Sequence, residues 1–306
     1  MNRFDHLTGL IAAPHTPFDN SGAVAPDVVA QQAAHLVEQG VTGVFICGTT
    51  GEGASLTNAE RILLCERWIA AAGGDLRVIV HVGHTSLGDA RELSQHAQSA
   101  GAWAVSSVAP YYFKPGNVDA LTDHCAAIAE AAPGLPFYYY HSPGMTGVNL
   151  CPVDFLATAS QRIDSLAGIK FNDGNLFEYQ RCLAFDGGRF DIPFGVDEAL
   201  IGAIAAGATS AVGSTYNYAA PIYLDLMEAF RSGDMATARR CSQKAVAMVE
   251  LLVRFGGVAA GKAIMSLHGI SCGNPRSPIS PLSRAARADL LEAVERLGVL
   301  RMAMVA

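Results

Sequence analysis

Eight short apolar runs with β character recur along the chain: Gly9–Ala13, Gly43–Cys47, Arg77–Val82, Ala104–Ala109, Leu135–Tyr140, Ser165–Lys170, Asp191–Gly195 and Ser210–Gly213. They begin roughly 20 to 35 residues apart, the spacing of repeated βα units. Between them apolar residues return at a helical period. Val28, Val29, Ala33, Leu36 and Val37 alternate with Gln31, Gln32 and Glu38, and Ala90, Leu93, Ala97 and Ala100 repeat the pattern. This alternation predicts an α/β fold, a (β/α)8 TIM barrel. An open doubly wound sheet is the alternative that the same alternation allows. After Gly213 the β runs stop, and the remaining residues read as helices broken by "RFGG", "HGISCGNPRSP" and "ERLG". The expected organisation is a barrel over 1–220 and a C-terminal helical extension over 221–306 packed on it, with no linker between them.

Composition narrows the function classes. A chain of 306 residues with 50% hydrophobic content is large enough for a barrel built as one domain. A net charge of -7 lacks the basic face that nucleic-acid binding needs. The apolar stretches break well before ~18 residues, so no membrane span is expected. The opening "MNRFDHLTGLIAAPHTPF" has a short apolar part that ends in prolines and is not read as a signal peptide. The seven cysteines are scattered and form no C-x-x-C, which suits a reduced, cytoplasmic enzyme. His81 and His84 do not share a strand face and have no apparent third ligand, so no metal site is expected.

In a barrel of this kind the reactive groups stand at the C-terminal ends of the strands. The chain has four lysines. Lys114, Lys244 and Lys262 sit in polar or helical surroundings that suit a surface position, whereas Lys170 closes the buried-looking run "LAGIKFND". Lysine is almost never buried without a partner or a task, and removal from water favours its neutral, nucleophilic form. The second run ends in "CGTTGEG", where glycines expose backbone N–H groups beside the hydroxyls of Thr49 and Thr50. An ordinary glycine-rich turn reads the same way. The fourth run ends in "APYYFKPG" and offers Tyr111 and Tyr112, either of which could equally be packing. In "LPFYYYHSPG" strand alternation puts Tyr138 and Tyr140 on one face and Tyr139 on the other. The seventh run leads to Gly195, Asp197 and Glu198, which open a helix where acidic residues also complement the dipole. The eighth ends in "VGSTYNY", where Ser214 or Thr215 could cap the next helix.

Each of these features has an ordinary structural explanation. Together they describe a lysine, phenols, exposed amides beside hydroxyls, and carboxylates around one pocket. That set suits Schiff-base chemistry: an amine attacks a ketone, a phenol moves protons, and amides hold the adjacent carboxylate. The iminium is the electron sink, so no cofactor is called for.

The segments "GTTGEG", "LPFYYYHSPGMTGV", "LAGIKFND", "FGVDEAL" and "GATSAVGSTYNY" resemble the dihydrodipicolinate synthase / N-acetylneuraminate lyase family of pyruvate-dependent class I aldolases. The likeness runs from "GLIAAPHTPF" to "GKAIMSLHGI". It implies that Lys170 forms the Schiff base with pyruvate and that Tyr140 transfers the proton. Thr49 and Thr50 would bind the substrate carboxylate, and Thr49 would link Tyr140 to a second tyrosine, for which Tyr112 sits in the family's place. Gly195, Asp197, Glu198 and Ser214 would bind a sugar-acid tail. A synthase would carry an arginine where this chain has Met145, and a methionine cannot hold a second carboxylate. Family lyases carry threonine or serine where this chain has Asn172, which still hydrogen-bonds. The implied activity is reversible cleavage of N-acetylneuraminate to pyruvate and N-acetylmannosamine, by a cytoplasmic homotetramer acting on small molecules. The alternatives are a same-family enzyme for another sugar acid or aldehyde, and a barrel that binds carboxylates without catalysis.

Overall fold

The computed structural model describes residues 4–300, so residues 1–3 and 301–306 of the two expected parts lie outside the described residues. Seven strands form one parallel sheet: β1 Gly9–Ala12, β2 Gly43–Ile46, β3 Arg77–His81, β4 Ala104–Val108, β5 Phe137–His141, β6 Leu166–Phe171 and β7 Ser210–Gly213. Their order is β6-β5-β4-β3-β2-β1-β7. Helices follow the strands and cover the convex face, a curled TIM-barrel-like α/β arrangement. The strands are buried on both faces, so they read as continuous apolar runs.

Two separate apolar clusters record the two faces. Leu10, Val44, Val78, Phe137, Tyr139 and Ile169 pack outward against the helices. Ile11, Phe45, Ile79, Ala104, Tyr138, Tyr140, Ala167 and Val212 fill the concave side. The expected separation of Tyr139 from Tyr138 and Tyr140 is therefore observed.

The run Asp191–Gly195 differs from expectation. It forms no strand, only isolated parallel bridges, Gly168↔Asp191 and Phe171↔Phe194 towards β6 and Phe194↔Ala211 towards β7. Pro193 has no N–H to donate, which breaks the regular pairing. The remaining amides still bond on both sides: Asp191 N–H to Ala167 O at 2.9 Å, and Phe194 N–H to Ser210 O at 3.1 Å. A second irregularity lies between β5 and β6. Phe137 pairs with Leu166, but Tyr138 pairs with Gly168, so Ala167 is an extra residue and Tyr140 stands opposite Lys170.

After β7 come helices Tyr216–Arg231, Met235–Arg254, Val258–Met265 and Arg284–Leu297. The expected division after residue 220 falls inside the first of them. Helix Met235–Arg254 lies over the short turn Asp197–Ala199, which brings it to the mouth of the sheet. No helix among the described residues is long and apolar enough to cross a membrane.

Candidate active site

The C-terminal strand ends open onto a cavity of about 510 Å³. Its wall contains Thr49, Thr50, Tyr140, Lys170, Asn172, Gly195, Asp197, Glu198 and Ser214. Those are the site residues expected from the sequence, with one exception. Tyr112 is 77% exposed and lines a separate hollow with Thr85, Ser86, Pro110, Tyr111 and Phe113, so this chain does not bring it to Lys170.

Lys170 is 4% exposed. Its Nζ lies 3.7 Å from the centroid of the Tyr140 ring and 5.2 Å from that of Phe45. It donates to Asn172 Oδ1 at 3.3 Å. No ion pair forms at Lys170 among the described residues, so the amine faces aromatic rings, one amide oxygen and the cavity.

The Tyr140 hydroxyl lies 3.4 Å from Thr49 Oγ1. Burial by itself would raise the phenol's pKa. The Lys170 charge and hydrogen bonds with Thr49, Lys170 and Ser142 outweigh burial, and the phenol ionises below its ordinary range. A proton acceptor in contact with the amine follows from that balance. His81 packs edge-on against the Tyr140 ring at 5.9 Å. Its Nδ1–H donates to Cys47 O at 3.0 Å, and its Nε2 accepts from Val108 N–H at 3.3 Å, which fixes the neutral tautomer. Burial, Arg61 and Lys170 hold its pKa down to about 3. From the sequence His81 is weighed only as a metal ligand, not as a neighbour of Tyr140. His84 turns away, and its Nδ1 accepts from Ser86 N–H at 2.9 Å.

The turn after β2 is tightly wound. Glu52 N–H donates to Thr49 O at 3.0 Å and Gly53 N–H to Gly48 O at 3.1 Å. A Cβ on Gly53 would overlap the Cys47 carbonyl, so only glycine fits there. On the opposite wall Asp197 is buried. Its Oδ2 accepts from Thr215 N–H at 3.0 Å and from the Thr215 hydroxyl at 2.7 Å. Burial nevertheless raises its carboxyl pKa above the usual range. Glu198 is exposed at the rim and Ser214 is half-buried. A Cβ at Gly195 would come within 2.7 Å of Asn172 Oδ1, so that glycine leaves the amide its place beside Lys170.

An apolar side faces these groups. Pro143 and the 66%-exposed Met145 come from the short helix Pro143–Thr146 after β5, and Val249 and Leu252 reach in from helix Met235–Arg254. The two helix residues were missed by sequence reading, since nothing local marks them. Lys262 is a correction. It was expected at the surface, yet it is 3% exposed, because helix Val258–Met265 is buried along nearly its whole length.

A model of the dihydrodipicolinate synthetase family matches residues 6–297. N-acetylneuraminate lyase of Rattus norvegicus is 39% identical over 299 residues, covering 96% of this chain and 93% of that protein. Among solved structures, the N-acetylneuraminate lyase (sialic acid aldolase) of Aliivibrio salmonicida is 49% identical with a TM-score of 0.96, covering 97% of this chain and 99% of that one. The Proteus mirabilis N-acetylneuraminate lyase is 47% identical with a TM-score of 0.95, covering 97% and 100%.

Proposed function

The chain belongs to the dihydrodipicolinate synthetase family, and on that premise we propose that it is a Schiff-base aldolase that reversibly cleaves N-acetylneuraminate to pyruvate and N-acetylmannosamine. The observation that carries this reading is Lys170 itself: a buried amine with no carboxylate partner, 3.7 Å from the Tyr140 ring, in the wall of a cavity.

In the cleavage direction Lys170 attacks the C2 ketone of the open-chain sugar acid and water leaves, giving an iminium. Tyr140 takes the proton of the C4 hydroxyl. The C3–C4 bond breaks, its electrons pass to the iminium as an enamine, and the aldehyde departs. Protonation at C3 and hydrolysis release pyruvate and free Lys170. The hydroxyls and amides of Thr49 and Thr50 hold the carboxylate beside C2. Asn172, Asp197, Glu198, Ser214 and the Gly195 backbone face the polyol tail, for which carboxylates and amides supply acceptors. The apolar side formed by Met145, Val249 and Leu252 offers no second carboxylate a cation, which argues against a synthase role.

A related reading is a same-family aldolase for another sugar acid or aldehyde. Asn172 favours it, because its amide already engages Lys170 at 3.3 Å. The wider proposals follow from the family: a closed (β/α)8 barrel with its eighth position filled by residues 191–194, a packed C-terminal helical extension, a homotetramer and a cytoplasmic location. The bridges of residues 191–194 to both β6 and β7 support the first, and seven free cysteines agree with the last.

The test is borohydride trapping with N-acetylneuraminate as the only carbonyl compound. Intact mass and a peptide map should show a pyruvate-sized adduct on Lys170. An adduct with pyruvate but none with N-acetylneuraminate would move the assignment to another substrate. No adduct with either would reject the aldolase.

A further inference from the structure

The turn that presents Thr49 and Thr50 is held in an unusual backbone conformation. Cys47 and Glu52 bracket it with φ of 57° and 53°, in the left-handed region that favours glycine. Residues without glycine's freedom stay there only where their surroundings over-determine them. At Glu52 those surroundings come from the C-terminal helices. Glu52 Oε1 lies 2.6 Å from Lys262 Nζ, and both side chains are sealed from solvent, at 0% and 1% exposure. Glu52 Oε2 accepts from the backbone N–H of Arg276 at 2.7 Å. The Arg276 guanidinium is spent elsewhere, on Glu60 at 2.8 Å, so Lys262 is the cation that balances Glu52. Lys262 is itself fixed, donating to Asn274 O at 3.3 Å and lying 4.0 Å from the Phe18 ring centroid.

The contacts run inward from there. Glu52 N–H closes the turn on Thr49 O at 3.0 Å, and Thr49 Oγ1 meets the Tyr140 hydroxyl at 3.4 Å. We propose that Lys262 is a positioning residue for the carboxylate-binding turn: its ammonium neutralises Glu52 and holds that residue left-handed, so that Thr49 and Thr50 face the carboxylate of the bound 2-oxo acid. The C-terminal helices thereby build part of the site through a residue that touches no substrate. This inference rests on the aldolase reading above.

The experiment uses the full chain with pyruvate and borohydride, reading the fraction of Lys170 labelled against pyruvate concentration. In the Lys262→Met variant the half-saturating pyruvate concentration should rise about tenfold or more, while saturating pyruvate still labels Lys170. A packing role alone predicts the reverse pattern, a smaller labelled fraction at an unchanged half-saturation, and that result overturns the proposal. Should Lys262→Met fail to fold, Glu52→Gln keeps the side chain's length and its acceptor for Arg276 N–H while removing the charge. The same rise is expected there, and an unchanged half-saturation again overturns the proposal. The wild-type control separates the two readings. A wild type that traps no pyruvate refutes the aldolase, whereas a wild type that traps it with unshifted variants refutes only the role of Lys262.

Discussion

Lys170 and Lys262 are buried to the same degree, at 4% and 3% exposure, and they differ in what faces them. Lys262 meets a carboxylate at 2.6 Å and a carbonyl at 3.3 Å inside a sealed pocket. Lys170 meets one amide oxygen and aromatic rings in the wall of a cavity. Both ammonium groups lie over an aromatic face, so that contact does not distinguish them. The carboxylate does. Lys262 is closed off by its ion pair with Glu52, whereas Lys170 has no acidic partner and its amine faces the cavity. Burial marks a lysine as unusual, and its partner says what the lysine is for.

The largest expected effect falls on catalysis and only at one of the two. Lys170→Ala should remove turnover while leaving a folded chain, because among the described residues Lys170 is the one lysine that lines the cavity. Tyr140→Phe, beside it, should lower kcat roughly 100- to 10,000-fold, the usual weight of a positioned proton-transfer group. A near-normal rate in either variant, measured by pyruvate release, would break the contrast.

Stability should invert the ranking. Lys262→Met leaves Glu52 charged in a sealed site without its cation, which costs roughly 3–5 kcal/mol in urea denaturation. Lys170→Met takes a donor from the Asn172 amide oxygen and a partner from the Tyr140 hydroxyl, both at the cavity wall, and should cost no more than about 1 kcal/mol. Equal losses would mean that the two sites differ less than their partners suggest.

A pH effect sharpens the comparison further, since each lysine has a buried neutral histidine beside it. Burial and then Lys262 hold the pKa of His15 down to about 3. Burial, Arg61 and then Lys170 do the same for His81, again to about 3. In the unfolded chain both would titrate near 6.5, so the unfolded state binds more protons below that pH. Stability from these two groups is therefore complete above pH 6.5 and falls as pH drops towards 3. The loss is on the order of 2 kcal/mol for each group by pH 5. Thermal unfolding followed from pH 8 to pH 5 should show a plateau and then a decline. A flat profile would contradict the neutral assignment of both histidines.

Much of this was legible in the amino-acid order because it is local. The recurring runs mark the seven strands, and most of the cavity wall is read from what ends each run. What escaped notice depends on partners distant in the chain. Lys262 looks like an ordinary helical lysine until Glu52, far away in sequence, closes on it. Val249 and Leu252 line the cavity only because their helix crosses the turn Asp197–Ala199. Asp191–Gly195 has the composition of a strand, and its proline denies it the pairing of one. Tyr112 has a suitable neighbourhood in sequence, yet it stands in its own exposed hollow.

The extra residue in β6 has a consequence for how Lys170 is placed. Side chains along a strand alternate in parity, and Leu166 faces the helices. Counted without interruption from Leu166, Lys170 would fall on the same, helix-packed side as Leu166, an ammonium among apolar side chains. The insertion at Ala167 reverses the parity once, so that Ile169 turns to the helices and Lys170 turns inward beside Tyr140. The address of Lys170 is thus written in the backbone, as a single skipped beat in the pairing of two strands. Loops at the rim can change size and charge without moving it.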